Sequence, residues 1–186
     1  MIRHFIVVQW LFLSCGALAD INDPFEPVNR KTQGLNDFAD EHFMRPIARG
    51  YGKILPDPIR YSIGRVFGNL EDVGDAVNNL LQLKPRAFVS DLLRVSINST
   101  IGLGGLFDPA SRLGLTDHEE DFAQTLATWR VPRGPYVVIP FLGPSSLRDV
   151  FSRSANNRLD PLIYLHPVDH RNTPFAMRLV HQRADL

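Results

Sequence analysis

Apolar side chains recur every three to four residues along most of the chain, which is the pattern of amphipathic helices. The longest such stretch begins at the helix-start signal Asp57-Pro58 and ends at Lys84-Pro85. Its apolar positions continue for about seven turns, or ~40 Å of helix: they are Ile59, Ile63, Val66, Phe67, Leu70, Val73, Val77, Leu80 and Leu81. Three glycines inside it each weaken a helix by ~1 kcal/mol relative to alanine. They therefore predict close backbone contacts or a break at Gly64, Gly68 and Gly74.

Shorter segments on both sides show the same spacing and carry capping signals near their starts. We predict helix caps at Asn29, at Thr116 with Glu119, at Ser146 with Asp149, and at Thr173 followed by Pro174. Arg45-Pro46 is expected to end or kink the first of these helices. No pair of segments shows the period-2 alternation of paired strands. The sequence therefore predicts an all-α fold, in which long amphipathic helices are joined by Pro/Gly-rich loops.

One apolar segment does not fit a helix. Residues 134–144 read GPYVVIPFLGP, an apolar run from Tyr136 to Leu142 that is interrupted only by Pro140. Pro140 lacks a backbone donor, which disfavours both a helix and a central strand. The segment is also far shorter than the ~20 apolar residues of a membrane-spanning helix. Two interpretations remain, a buried elbow in a core or an apolar loop that contacts an apolar partner.

The first 19 residues predict a secretory signal peptide. Arg3 and His4 precede the apolar run FIVVQWLFL, which is too short for a transmembrane anchor. Cleavage after Ala19 follows the small-x-small rule, whereas cleavage before Cys15 follows an imperfect lipobox and leaves a lipidated cysteine. Either route leaves a single helical domain over residues 20–186. Because the sequence has one cysteine, disulfides and cysteine metal sites are excluded.

Candidate chemistry is sparse. Lys+Arg and Asp+Glu number 20 each, so the charge balance gives no case for nucleic acid. The run DHEED at 117–121 invites a metal interpretation, but acidic residues also favour the first turn of a helix, and we predict that role. Three histidines are predicted to be solvated: His166, His170 and His181. Without a G-x-S-x-G motif or a phosphate-binding loop, the sequence predicts no catalysis, no metal and no cofactor.

Glycines mark the joints between helices. Gly102, Gly104 and Gly105 form a predicted loop, and Gly134 and Gly143 bracket the apolar segment. Glycine reaches backbone conformations that side chains forbid. We therefore expect the three loop glycines to tolerate alanine poorly, and Gly105→Val to be the worst substitution.

Seven colinear segments within residues 22–165 carry a family resemblance: NDPFEPVNR (22–30), RP (45–46), FGNLED (67–72), VNNLLQLKP (77–85), INSTIGLGGLFDPAS (97–111), EEDFAQTLATW (119–129) and GPYVVIPFLGPSSLRD (134–149). Their order resembles the MlaA/VacJ family of outer-membrane phospholipid-trafficking lipoproteins of Gram-negative bacteria. The chain departs from the family pattern at Ala127 and Arg130, where the family usually has glycine.

The resemblance implies a helical ring that lies in the inner leaflet of the outer membrane, on its periplasmic face, around an amphipathic channel. Such a protein removes phospholipid that has strayed into the outer leaflet and passes it to a periplasmic carrier. It associates with trimeric porins and performs no covalent chemistry. The apolar segment would then supply candidate channel residues: Tyr136, Val138, Ile139, Pro140, Phe141 and Leu142.

The resemblance also leaves an alternative. Family members usually continue for a few dozen residues beyond a segment like RLVHQRADL, at which this sequence stops. The alternative is a soluble periplasmic binding or adaptor module that lacks channel function through C-terminal truncation. Without lipid on Cys15, the protein would be periplasmic. We expect the unlipidated chain of the channel hypothesis to partition into bilayers, because amphipathic helices lie in the membrane interface.

Overall fold

A computed structural model describes residues 23–185 of the chain. The signal peptide predicted for residues 1–19, with Cys15, lies outside the described residues. The helices are α1 (Glu26–Ala39), α2 (Arg45–Ile54), α3 (Asp57–Leu81), α4 (Pro85–Thr100), α5 (Pro109–Arg112), α6 (Phe122–Thr128), α7 (Leu147–Leu159) and α8 (Val168–Ala184). A π-helical turn, Asp40–Met44, joins α1 to α2, and a 3-10 helix, Pro161–Tyr164, precedes α8. Two short strands, β1 (Tyr136–Ile139) and β2 (Gly143–Ser146), form an antiparallel hairpin.

The all-α prediction is confirmed, apart from this small hairpin. The 25-residue helix α3 packs against α4 and runs unbroken through all three of its glycines. Of these three glycines, only Gly64 is in close contact with another element: a Cβ there would lie 2.7 Å from Nε2 of His181 in α8. Among residues 23–185, no helix combines the length and the hydropathy that a membrane span requires.

The interruption predicted at Arg45-Pro46 is a π-helical turn, not a helix end. Pro46 lies in the first turn of α2, directly after the π-helical turn. Arg183 of α8 holds this turn by a two-pronged ion pair, with Nε 2.6 Å from Oδ1 of Asp40 and Nη2 2.9 Å from Oδ2. This pair fastens the end of α8 to the junction between α1 and α2.

One of the four predicted caps is confirmed, since Ser146 and Asp149 form a reciprocal capping box at the start of α7. The other three are wrong: Asn29 lies inside α1, Thr116 and Glu119 precede α6, which is capped by Asp121, and Thr173 and Pro174 lie inside α8. A capping prediction considers only residues that are close in sequence. The Asn29 side chain instead forms hydrogen bonds with Tyr136 and Val138, more than 100 residues away.

The apolar segment is a β-hairpin, so the prediction that the chain has no strand pair is wrong. Val137 lies opposite Ser145, and Pro140 lies in the turn, where its missing N–H takes no part in the ladder. Phe141, also in the turn, has a positive φ of 65°. Strands of four residues are too short for a clear alternation, and β2, with the sequence GPSS, lacks β-favouring residues.

Arg130 ends α6 in a left-handed conformation with φ 62°. Its N–H donates to the Ala127 carbonyl at 2.9 Å, and Val131 N–H donates to the Leu126 carbonyl at 2.9 Å. Glycine is preferred at such a helix end. Arginine in place of glycine at this position therefore costs about 1 kcal/mol of backbone strain.

Candidate functional site

The buried side chains of the described residues are mostly polar, while many large apolar side chains face outward. Fourteen polar or charged residues are buried, against six apolar ones. Exposed large hydrophobic side chains occur on α1, α2, α3, α4, α7 and α8. Soluble proteins rarely bury Asn, Asp or Arg in this proportion, and a large apolar surface marks contact with an apolar environment.

Side-chain amides of α3 form the centre of this polar interior. Asn78 and Asn79 are 1% and 0% exposed. Thr125 Oγ1 donates to Asn78 Oδ1 at 3.0 Å, and Gln82 Nε2 donates to Thr125 Oγ1 at 3.1 Å. Asn79 Nδ2 donates to Asp91 Oδ2 at 2.7 Å. These bonds tie α3 to α6 and α4, and they satisfy polar groups that would otherwise be costly to bury.

A buried arginine of α4 neutralises a group of carboxylates. Arg94 Nε lies 3.3 Å from Asp72 Oδ2, and Arg94 Nη2 lies 3.3 Å from Asp117 Oδ2. Carboxylate oxygens of Asp72, Asp75 and Asp117 lie within 4.8 Å of one another, which is close enough to share a metal ion. The Arg94 guanidinium already supplies positive charge here, so the arrangement works as an ion-pair network.

The acidic run 117–121 serves several elements. The prediction that it belongs to a helix first turn is wrong, because α6 begins at Phe122; Asp121 is instead its N-cap, and its Oδ1 accepts from Gln124 N–H at 2.7 Å. Three others pair elsewhere: Asp117 with Arg94, His118 with Asp91, and Glu120 with Lys84. The run therefore links the α6 region to α4 and to the end of α3.

Two carboxyl groups of the network are held partly protonated near neutral pH. Burial raises the pKa of Asp72 to about 7, although the Arg94 charge opposes this rise. Burial also raises the pKa of Asp75 to about 8, although a hydrogen bond from Glu120 N–H opposes it. Both groups thus bind protons more tightly in the folded chain than in the unfolded chain.

This sets the direction of the pH dependence. Because the folded-state pKa values lie above the usual carboxyl value of 3.8, the contribution of these groups to stability is complete below about pH 4. It is lost as the pH rises through 7 to 8. We predict that Asp75→Asn, which keeps the acceptor for Glu120 N–H, raises the melting temperature at pH 8.5 more than at pH 5. Melting curves across this range test it, and an equal change at both pH values would contradict it.

A cavity of about 630 Å³ opens beside the Arg94 network, between α3, α4 and α8. Its lining is largely polar and carries both signs of charge, including Arg60, Arg65, Asn69, Asp108, His181 and Asp185. A zwitterionic group would find partners for both of its charges in such a cavity.

His181 corrects the prediction that the C-terminal histidines are all solvated, since it is 7% exposed. Tyr51 OH and His181 Nδ1 are 3.2 Å apart, and His181 Nε2 lies 3.3 Å from Asp185 Oδ2. His166 and His170 are exposed, as predicted. The contact with Gly64 buries His181, and the sequence gives no signal of that contact.

Two asparagines of α1 hold the hairpin. Asn29 and Asn36 are seven residues apart, so they lie on one face of the helix. Each side-chain amide donates to a β1 carbonyl and accepts a backbone N–H two residues further on. The bonds are Asn29 Nδ2 to Tyr136 O at 3.1 Å, Val138 N to Asn29 Oδ1 at 2.8 Å, Asn36 Nδ2 to Ile139 O at 2.9 Å, and Phe141 N to Asn36 Oδ1 at 2.7 Å. The two amides replace a third strand beside β1.

We predict that Asn29→Leu lowers the free energy of unfolding by about 2–4 kcal/mol, because it leaves buried backbone groups of β1 without partners. Lys31→Leu, at an exposed position of the same helix, is the control and should change stability by less than about 0.5 kcal/mol. Denaturant unfolding measures both. Equal effects of the two substitutions would mean that the amide does not anchor the hairpin.

The structure separates the predicted residues of the apolar segment. Val138 is 7% exposed and packs inward, whereas Phe141 is 75% exposed. Tyr136 and Leu142 are about half exposed, Pro140 is exposed, and Ile139 is intermediate. The hairpin therefore contributes one core residue, Val138, and an exposed apolar tip. Contact of that tip with an apolar partner stays a prediction.

The predicted joint glycines fall into two groups. Gly134 and Gly143 have φ 71° and 81°; Gly134 lies before β1, and Gly143 is the first residue of β2. In the loop after α4, a Cβ on Gly102 would lie 2.5 Å from the carbonyl oxygens of Asn98 and Phe107, whereas Gly104 has open space. Close approach of the backbone thus decides which loop glycine is needed.

The polar interior was not predicted, because the sequence analysis considered only the apolar faces of the helices. A signal was present in α3 and its C-cap residue Gln82, where polar residues also recur at helical spacing: Asn69, Asp72, Asp75, Asn78, Asn79 and Gln82. Such a stripe reads equally well as a solvent-facing side. Arg94 and the amides of α1 carried no signal of their own.

Comparison with known proteins agrees with this architecture. The family model described as MlaA lipoprotein matches residues 21–186. The Intermembrane phospholipid transport system lipoprotein MlaA of Escherichia coli (strain K12) is 34% identical over 133 residues, which are 69% of this chain and 53% of that protein. A protein of Rickettsia bellii, named only as uncharacterized, is 34% identical over 165 residues, 88% of this chain and 65% of its own length. The chain thus spans less than two thirds of these relatives.

A solved structure also matches. It is described as "Structural basis for maintenance of bacterial outer membrane lipid asymmetry", and it is 30% identical in sequence with a TM-score of 0.77. The match covers 89% of this chain and 84% of that one. Together with the family model, it shows that this chain belongs to the MlaA lipoprotein family.

Proposed function

We propose that this protein removes mislocalised phospholipid from the outer leaflet of the Gram-negative outer membrane and so maintains lipid asymmetry. The observation that carries the proposal is the polar interior enclosed by an outward-facing apolar surface. A phospholipid headgroup is costly to place in an apolar environment and needs polar partners along its route. The names of the E. coli relative and of the solved structure point to the same process.

In this proposal the helices form a ring in the inner leaflet, with their apolar faces toward acyl chains. Helices with one apolar and one polar face lie stably at the membrane interface. Lipid on Cys15 adds a second anchor at the periplasmic face. The exposed apolar tip of the hairpin, at Phe141 and Leu142, contacts acyl chains as the headgroup enters the polar interior.

The released lipid passes to a periplasmic carrier protein, and trimeric porins hold the ring in place. No step needs bond-making chemistry in the chain itself, since lipid moves between surfaces without covalent change. The alternative, a periplasmic adaptor without a channel, predicts binding to a carrier but no lipid clearance.

Complementation tests the proposal. The chain is expressed with its own leader in a Gram-negative strain deleted for its MlaA relative, and its level is checked by immunoblotting. We expect restored resistance to detergent plus chelator and a fall in outer-leaflet phospholipid. A well-expressed chain that restores neither would favour the adaptor.

A further inference from the structure

A second cavity, of about 720 Å³, lies between α6, the first turns of α7 and strand β2. Four basic side chains line it: Lys84, Arg133, Arg148 and Arg153. The acidic side chains in its lining are Asp121 and Asp149. Lys84 is already paired with Glu120, so the excess of positive charge in this cavity comes from the three arginines. In the first cavity, by contrast, acidic and basic groups are mixed.

Both acidic side chains are engaged in the fold. Asp121 Oδ1 caps α6 through Gln124 N–H at 2.7 Å. Asp149 Oδ2 accepts from Ser146 N–H at 3.1 Å in the capping box of α7. Both carboxylates thus accept from backbone donors at helix starts, and that of Asp149 is also stabilised by the charges of Arg148 and Arg133, which help to lower its pKa.

The arginines are less engaged. Among the side chains that the structure describes, none of the carboxylates forms an ion pair with Arg153 or Arg133, although the Arg133 charge does help to lower the pKa of Asp149. Arg148 Nη1 donates to the Val131 carbonyl at 3.2 Å, but the buried Nε of Arg148 has no hydrogen-bond partner there and lies 3.7 Å from Asp149 Oδ1. The cavity therefore holds guanidinium groups with donors to spare.

A second, independent observation comes from strand β2. Ser145 is 9% exposed, lines the same cavity, and its hydroxyl has no hydrogen-bond partner within the described residues. A buried hydroxyl without a partner is unusual, and it leaves this serine able to donate to a bound molecule. The unpaired donors of Ser145 and Arg148 thus line the same cavity as Arg133 and Arg153.

We propose that this cavity binds the phosphate group of a phospholipid headgroup. Planar guanidinium forks match the paired oxygens of a phosphodiester, and a serine hydroxyl adds a further donor. The inference rests on the proposed function and deepens it, since it assigns the headgroup a binding site beside the hairpin. Free inorganic phosphate offers the same chemistry, and the test separates the two sources.

The full chain, purified in a zwitterion-free detergent, is titrated by calorimetry with glycerophosphoethanolamine, a soluble headgroup phosphodiester, and separately with inorganic phosphate. We expect Arg153→Gln and Ser145→Ala each to weaken phosphodiester binding, by about tenfold for the arginine. Arg153→Lys should lose less, because it keeps the charge but not the fork. Arg112→Gln, an exposed arginine outside the cavity, is the control and should bind as wild type does.

Each possible result of the titration either supports or overturns the proposed site. Weakened phosphodiester binding in the two cavity variants, with normal melting curves, supports the site. Binding of inorganic phosphate alone would overturn the lipid headgroup as its ligand. No binding, or equal binding by the cavity variants and the control, would overturn the site altogether. The titration needs no transport, so failure of the proposed function would appear in complementation and not here.

Discussion

Val138→Asp should unfold the protein, whereas Phe141→Asp should leave it folded but unable to clear lipid. Val138 is 7% exposed, so an aspartate there buries an unpaired carboxylate, at a cost of about 3–5 kcal/mol. Phe141 is 75% exposed and has φ 65°, a conformation that aspartate tolerates better than phenylalanine does. Under the proposed function, a charge at this tip opposes contact with acyl chains.

Two measurements test these two substitutions. Circular dichroism melts report folding, and resistance of the complemented deletion strain to detergent plus chelator reports lipid clearance. A stable Val138→Asp variant would show that the hairpin does not pack inward. A fully active Phe141→Asp variant would remove the hairpin tip from the lipid route.

Gly102→Ala should be far more damaging than Gly104→Ala, although the two positions lie in one loop. A Cβ on Gly102 would lie 2.5 Å from two backbone carbonyl oxygens, which cannot move without displacing the end of α4. We expect a loss of at least about 3 kcal/mol. Gly104 has φ 74° but open space, so alanine there costs about 1 kcal/mol of backbone strain.

Gly105 combines both constraints, with φ 93° and a Cβ position 2.7 Å from Asn69 Cβ. We therefore still expect Gly105→Val to be severely destabilising, and we expect the same of substitutions at Gly102. Urea unfolding of the alanine variants at all three positions tests the ranking. If Gly104→Ala were as destabilising as Gly102→Ala, backbone conformation and not close approach would govern the loop.

The helices were predictable because their signals are local. The apolar periodicity from Asp57 to Lys84 predicted α3, and Ser146 with Asp149 predicted the start of α7. The hairpin was missed because Pro140 argued against a strand through the whole segment, whereas the strands lie on either side of it. A proline cannot donate a hydrogen bond to a strand ladder at its own position, but it does not prevent the neighbouring residues from forming strands.

The site was harder to predict because its contacts join distant parts of the chain. Asn29 bonds Val138, 109 residues away, and nothing near Asn29 in the sequence announces that partner. The apolar stripe of an amphipathic helix is the same whether it faces a protein core or acyl chains. Only packing revealed that the polar stripe of α3 faces inward, toward Asp91 and Thr125.

We expect lipid to cover the apolar exterior of the membrane-bound protein, while the polar interior stays accessible to water-soluble reagents. In a Cys15→Ser background, single cysteines are introduced by Leu35→Cys and Leu92→Cys at exposed apolar positions, and by Gly68→Cys in the lining of the 630 Å³ cavity. Gly68 has open space for the new side chain. Each variant is bound to phospholipid vesicles and treated with a water-soluble maleimide. We expect rapid labelling of Gly68→Cys and protection of the other two cysteines. Equal labelling at all three positions would show that lipid does not cover the apolar exterior.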